Sequence, residues 1–274
     1  MNSDLAIGPI LAAFLFASLA AQEKPVDPKL VERTIARLDS ADAKAAEAVT
    51  IALMRGDVAS VPLLRAVLST KPKPAVAERA QRALRLCEVA APIENGLKTG
   101  LSADVEHLKP GESIRLTTTL CNVSDEPIAV YLGMSYSGNV LENGLAIARQ
   151  DTPEADGEPE WRKAEFGAVG FCYTGAKPIV VKIEPWTTRE FVTMLEFRAE
   201  KKPDDACHHD GPHLAADYVF LPLDPKQRTL RLRVRTELDG AEARGHAEPE
   251  HAPTWKSPIR SNVVEVAIGE KRGG

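Results

Sequence analysis

The sequence predicts an α+β chain in two parts, a set of N-terminal α-helical hairpin repeats followed by an antiparallel β-sandwich. Three observations predict it. Apolar residues recur with helical period over residues 28–90, the composition breaks at "AAPIENGLKTG", and short alternating segments punctuated by turn residues follow that break.

In "AVAERAQRALRLCEVA" the apolar residues Val76, Ala80, Ala83, Leu84 and Cys87 share one helical face, and Glu78, Arg79, Arg82 and Arg85 take the other. Val61, Leu64 and Leu68 stripe a shorter helix before it, with Pro62 accommodated in the first turn. An earlier pair of stripes, Val31, Ile35 and Leu38 and then Ala45, Val49, Ala52 and Leu53, repeats the scheme at an offset of about 30 residues. This is an internal helical-hairpin repeat. Two such units rarely make a solenoid by themselves, so their apolar faces need a further partner.

From residue 97 onward the period changes to two. "SIRLTTTLCNV", "PIAVYLG", "GLAIARQ", "GAVGFCYTG", "IVVKIEP", "TTREFVTMLEF", "ADYVFLPL", "TLRLRVRTEL" and "NVVEVAI" read as nine strands, separated by turn signals such as Pro110-Gly111, Asn143-Gly144 and Asp239-Gly240. Strands without intervening helical patterns argue an antiparallel sandwich.

These segments carry resemblances. "GDVASVPLLRAVL" with "AVAERAQRAL" resembles one unit of a HEAT-type repeat. "LKPGESIRLTTTLCNVSDEPIAV", "IEPWTTREFVTML" and "SPIRSNVVEVAI" resemble the opening, later and closing strands of bacterial Ig-like or fibronectin-III-like modules, an outline shared by proteinase-inhibitor modules of the BsuPI type. The resemblance implies HEAT-like helical hairpins over residues 26–92 and an Ig-like β-sandwich over residues 97–269, with a tail at 270–274. It implies architecture more than activity.

The first 21 residues read as a secretory signal, with an apolar run from Ile7 to Ala17 leading into small residues. That run is shorter than the roughly 20 residues a membrane span needs, and no other segment approaches it. A periplasmic or extracellular protein with no membrane span in the mature chain is expected. Residues 22–92 hold 12 Lys and Arg against 9 Asp and Glu, and residues 93–274 hold 22 against 29. Neither half shows the density of cations that a phosphate backbone requires, so nucleic acid is not an expected partner.

One stretch, "DDACHHDGPH" at 204–213, concentrates side chains with chemistry. Strands alternating simply in direction place it on one rim of the sandwich together with "HAEPEH". Then His208, His209 and His213 meet His246 and His251, and Cys172 meets Cys207. Imidazole and thiolate suit zinc or copper, although the spacing matches no zinc pattern. The competing expectation is a Cys172–Cys207 disulfide, which in an exported chain closes a loop of about 35 residues. Cys87 reads as a core thiol, with a Cys87–Cys121 bridge as the alternative pairing. Trp161, Trp186 and Trp255 read as packing residues.

No nucleophile elbow, zinc-protease motif, Walker loop or dinucleotide fingerprint is present in the sequence. The expected function is therefore non-catalytic: an exported binding or scaffold protein whose partner is another protein or a cell-envelope component. The alternatives are a zinc- or copper-binding protein using the histidine rim, and a proteinase-inhibitor-like module.

Overall fold

The computed structural model describes residues 25–89, 91–135, 145–153, 159–163, 165–166, 177–200, 211–216, 219–223, 226–236 and 259–269. The chain divides into two compact units, residues 1–87 and 88–274.

The first unit holds α1 (Pro28–Leu38), α2 (Ala43–Arg55), a 3₁₀ turn (Asp57–Ser60), α3 (Val61–Ser69) and α4 (Pro74–Cys87). Asp27 caps α1 by accepting from the Lys29 N–H at 3.0 Å, and Asp42 caps α2 by accepting from the Lys44 N–H at 2.9 Å. Helix α1 packs on α2 and α3, and α4 packs on the same two. The 30-residue repeat appears in burial: Val31 and Val61, Thr34 and Leu64, Ala46 and Val76, Thr50 and Ala80 are all buried.

The face of α2 differs from the one hydropathy picks. Ala46, Thr50 and Met54 are buried, while Ala45 and Ala52 are exposed and Val49 and Leu53 are half-buried. A shift of one position turns the helix by about 100°. Thr50 is what hides this face from a hydropathy reading. Its hydroxyl donates to the Ala46 carbonyl at 2.9 Å, so it enters the core satisfied. Arginines of α4 join the outer turns: Arg79 donates to the Leu38 carbonyl at the end of α1, and Arg82 meets the Glu47 carboxylate.

The second unit is built of strands: β1 (Ile93–Glu94), β2 (Leu97–Ala103), β3 (His107–Leu108), β4 (Ser113–Asn122), β5 (Ile128–Ser135), β6 (Leu145–Pro153), β7 (Pro159–Lys163), β8 (Glu165–Phe166), β9 (Lys177–Ile183), β10 (Thr188–Arg198), β11 (His213–Ala216), β12 (Val219–Pro222), β13 (Thr229–Thr236), β14 (Ile259–Arg260) and β15 (Val264–Ile268). One sheet runs β1-β2-β4-β10-β11-β12-β8. A second runs β3-β15-β13-β6-β7 with β14 beside β13, and β5 pairs with β9. All these pairings are antiparallel except β3 with β15. The chain as described is therefore mixed α and β.

The two larger sheets share a core. Leu116, Leu195, Phe197 and Leu214 from the first sheet cluster with Leu230, Leu232, Val234 and Val266 from the second. A second cluster joins Leu97, Leu120, Ile128, Ile183 and Ile259. Strand β2 was not among the nine strands read from the sequence. Its residues 97–101 are all buried, Lys98 and Gly100 included, so it lacks the alternation that marks a half-buried strand. The Asn95-Gly96 pair before it has φ of +48° and +90°, which a tight hairpin from β1 into β2 requires.

The segment expected as one strand, "ADYVFLPL", is instead the second half of a hairpin. Strand β11 turns back into β12, with His213 opposite Pro222 and Leu214 opposite Leu221. This added reversal inverts the direction of everything that follows.

Candidate functional site

The strand pairings decide which chain ends meet. His213 opens β11 opposite Arg198, the last residue of β10, and the Leu223 N–H donates to the Pro212 carbonyl at 2.9 Å. Because the chain leaves β12 at this same end, β13 starts there. The Ile268 N–H donates to the Arg228 carbonyl at 2.9 Å, Gly269 N–H to Leu108, Gly111 N–H to Phe197, and so the ring of contacts closes on β10.

Strand β13 then runs away from the His213 end for eight residues, roughly 23 Å at about 3.3 Å per residue. It finishes at Thr236 opposite Ile259, which belongs to the cluster with Leu97, Leu120 and Ile183. The described strands from which the two histidine windows leave end far apart. Arg198 and His213, which flank the segment bearing His208 and His209, stand at one end of the sheets, and Thr236 and Ile259, which flank the segment bearing His246 and His251, at the other. His208, His209, His246, His251, Cys172 and Cys207 themselves lie outside the described residues, as does the expected Cys172–Cys207 bridge.

His213 is fully buried. Its Nδ1 stands 2.8 Å from the Gly211 carbonyl, an acceptor only, so Nδ1 is the donor of that hydrogen bond. On the adjacent strand Arg198 gives both Nε and Nη2 to Glu196 Oε2 at 2.9 Å. Register places Glu196, Arg198 and His213 on the face opposite Leu195, Phe197 and Leu214, outside the shared core. Among the described residues no three His, Cys, Asp or Glu side chains are placed to hold a metal ion.

Farther along that outer face the side chains change character. Val192 is 42% exposed and Met194 51% on the part of β10 that pairs with β4, before β11 joins the strand at Glu196. Val192 stands opposite Thr117, which stands opposite Ser102, and Met194 stands opposite Arg115. Short hydroxyls therefore lie beside Val192, and an arginine beside Met194.

At the far end, Asn122 closes the corner between β4 and β5 and is fully buried. Its Nδ2 donates to the carbonyls of Glu126 at 2.7 Å and Ile183 at 3.0 Å, and its Oδ1 accepts from the Ser124 N–H and hydroxyl. Residues 122–124 thus build a corner around the buried Asn122 amide. Trp186 completes it, buried, with its indole N–H donating to Asp125 Oδ1 at 2.8 Å.

Cys87 and Cys121 are buried thiols, the first with its Sγ 3.7 Å from the Leu53 carbonyl. Sequence reasoning missed a second grouping, the stacking of Arg233 on Trp161. The guanidinium carbon lies 3.8 Å from the ring centroid and Arg233 is 8% exposed. The "RLRVR" alternation signalled the outward arginines, but nothing near it in sequence pointed to Trp161. Among the described residues no helix is long and apolar enough to cross a membrane.

No family model matches the chain, and no curated protein matches it. Among solved structures it is similar to the alkylpurine DNA glycosylase AlkC of Pseudomonas fluorescens, bound to DNA containing an abasic site analog, at 13% identity over 89% of this chain and 53% of that one, TM-score 0.30. It is also similar to Spo0M, a sporulation control protein from Bacillus subtilis, at 8% identity over 65% and 51%, TM-score 0.31. AvmM, which catalyses macrocyclization in alchivemycin A biosynthesis, matches at 12% identity over 66% and 93%, TM-score 0.25. The chain spans about half the length of the first two. Similarity at these scores assigns this chain neither a fold nor an activity.

Proposed function

We propose that this is an exported, non-catalytic binding or scaffold protein, made of HEAT-like helical hairpins and an Ig-like sandwich, that acts through an open sheet face toward another protein or an envelope component. One observation carries the reading: Val192 and Met194 are exposed on the outer face of β10, opposite Thr117 and Arg115 of β4. The second face of an antiparallel sheet is ordinarily polar when it meets only water, and apolar area left there is available to a partner. The repeat of buried positions at 30 residues supports the hairpin part, and the core shared by two sheets supports the sandwich part. The test compares capture of exported proteins by the wild type and by Val192→Lys/Met194→Lys, with circular dichroism as the fold control. Partners held by the wild type and lost by the variant support the reading. Identical capture by both refutes it.

A second reading, zinc or copper binding, keeps one supporting observation. A metal-bound imidazole is usually held by a carbonyl at its other nitrogen, and His213 Nδ1 stands 2.8 Å from the Gly211 carbonyl. Metal analysis of untagged protein, before and after His213→Ala, decides it. Stoichiometric zinc or copper that disappears in the variant supports this reading, and metal-free wild type removes it.

A further inference from the structure

The two sides of strand β10 are paired over different lengths. On one side it pairs with β4 from Thr188 to Glu196, and on the other it pairs with β11 only at Glu196, Phe197 and Arg198. Sheet order makes β4 and β11 its two neighbours. Among the described residues, no strand pairs with the β11 side of β10 from Thr188 to Leu195. A strand that is internal by sheet order is therefore an edge strand over most of its length.

The main chain shows which residues form that edge. The Phe197 N–H donates to the Glu112 carbonyl at 2.9 Å, the Gly111 N–H donates to the Phe197 carbonyl at 2.7 Å, and the Asn122 N–H donates to the Thr187 carbonyl at 3.0 Å. Odd-numbered residues along β10 thus turn their main-chain groups toward β4. That direction alternates along an antiparallel strand, and the β4 register is unbroken from Thr188 to Glu196, so Glu190, Val192 and Met194 turn their N–H and C=O groups to the open side. All three are exposed. A row of unpaired main-chain groups is a template for another strand, and an edge that meets only water is ordinarily guarded by lysine, proline or a bulge. The stretch "TREFVTM", 188–194, has no lysine, proline or bulge, and only Arg189 and Glu190 at its start are charged.

We propose that this edge takes up an extended segment of a partner protein as an added antiparallel strand, in line with β11. Main-chain donors and acceptors select an extended chain, and β11 at Glu196 sets where it must stop. Partner residues opposite Glu190, Val192 and Met194 share the outer face with them, so the fitting segment carries a cation and two apolar residues at alternate positions. Glu190 faces Thr119 on β4, which leaves its charge to a cation on the added strand. The inference rests on the reading that Val192 and Met194 meet a partner, and adds the form and pattern of what they meet.

The experiment uses the full chain and a fluorescein-labelled peptide, Ser-Val-Thr-Val-Thr-Lys-Ser, read by anisotropy. In the antiparallel register its valines pair with Met194 and Val192 and its lysine with Glu190. N-methylation of the two valines removes amides that point at β10, and N-methylation of the two threonines removes amides that point away. The expected result is saturable binding, weakened about tenfold or more by the first change and less than about twofold by the second. Glu190→Lys should weaken this peptide and strengthen one with glutamate in place of its lysine. Met194→Pro, folded by circular dichroism, should also weaken binding, since proline is tolerated where the N–H faces outward but cannot donate. The N-methylated pair needs no variant protein, so it decides even where Met194→Pro unfolds. Absence of binding, or equal tolerance of the two N-methylations, overturns the proposal. So does a dimer in sedimentation that Met194→Pro dissolves, because a second copy then fills the edge. Capture of exported proteins that is lost by Val192→Lys/Met194→Lys but kept by Met194→Pro sinks strand addition alone. Identical capture by all three forms sinks the reading on which it rests.

Discussion

Asn262 and Leu101 exchange two hydrogen bonds: the Leu101 N–H donates to Asn262 Oδ1 at 2.7 Å, and Asn262 Nδ2 donates to the Leu101 carbonyl at 2.9 Å. A side-chain amide here does what a neighbouring strand would do, because β1 pairs with β2 only at Leu97 and Lys98. The same residue stands in the connection between β14 and β15, so it ties one sheet to the edge of the other and blunts that edge. Asn262→Ala leaves two backbone groups of a buried residue unpaired, at about 1–3 kcal/mol each. Asn262→Asp keeps the acceptor and loses the donor, so urea unfolding should place it between wild type and the alanine variant. Equal stability of all three contradicts the role assigned to this amide.

Gly100 has no room for a side chain. A Cβ built there lies 2.5 Å from Val89 Cγ1, and valine is stiff at χ1. Gly100→Ala should destabilise by about 1–3 kcal/mol through overpacking. Combining it with Val89→Ala should recover most of that loss, so a double-mutant cycle should show coupling, and additive effects would mean that the two sites do not touch.

Trp186 holds a φ of +54° in the turn between β9 and β10, a conformation that favours glycine. Two costs compete when it is replaced. Losing a buried tryptophan removes about 3–5 kcal/mol, whereas relief of left-handed strain returns only about 1–2 kcal/mol. Both Trp186→Ala and Trp186→Gly should therefore destabilise. Glycine should be the milder by about 0.5–1 kcal/mol, after its extra unfolded-state entropy is counted. An alanine variant as stable as the glycine variant would show that the turn relaxes without strain.

Asn122 makes four hydrogen bonds from a fully buried position. Asn122→Ala strands the Ile183 carbonyl in the interior and frees the Ser124–Glu126 turn, for a loss of about 3 kcal/mol. Ser124→Ala removes one partner only, and thermal unfolding should show a shift less than half as large.

Much of the architecture was legible in local pattern. The long alternations at 113–122, 188–198 and 229–236 became β4, β10 and β13, and the stripes at Val76, Ala80 and Ala83 became the buried face of α4. What escaped had a physical cause in each case. Strand β2 is buried on both faces over residues 97–101 and contains a lysine and a glycine, so it offers no alternation to read. The buried face of α2 includes Thr50, a polar residue satisfied by its own helix.

The candidate surfaces were less legible, because register, not composition, assembles them. Residue type and period by themselves determined that this chain makes helices first and sheets after, which residues of β13 face outward, and where histidines and cysteines concentrate along the chain. Only the tertiary structure decided which of these meet. A single additional reversal at β11–β12 sends β13 the other way, and each strand carries its charges and its terminal segments with it. Direction in a sheet is set by pairing between distant strands, and the hydrogen bonds that fix it leave no mark on the local alternation of side chains.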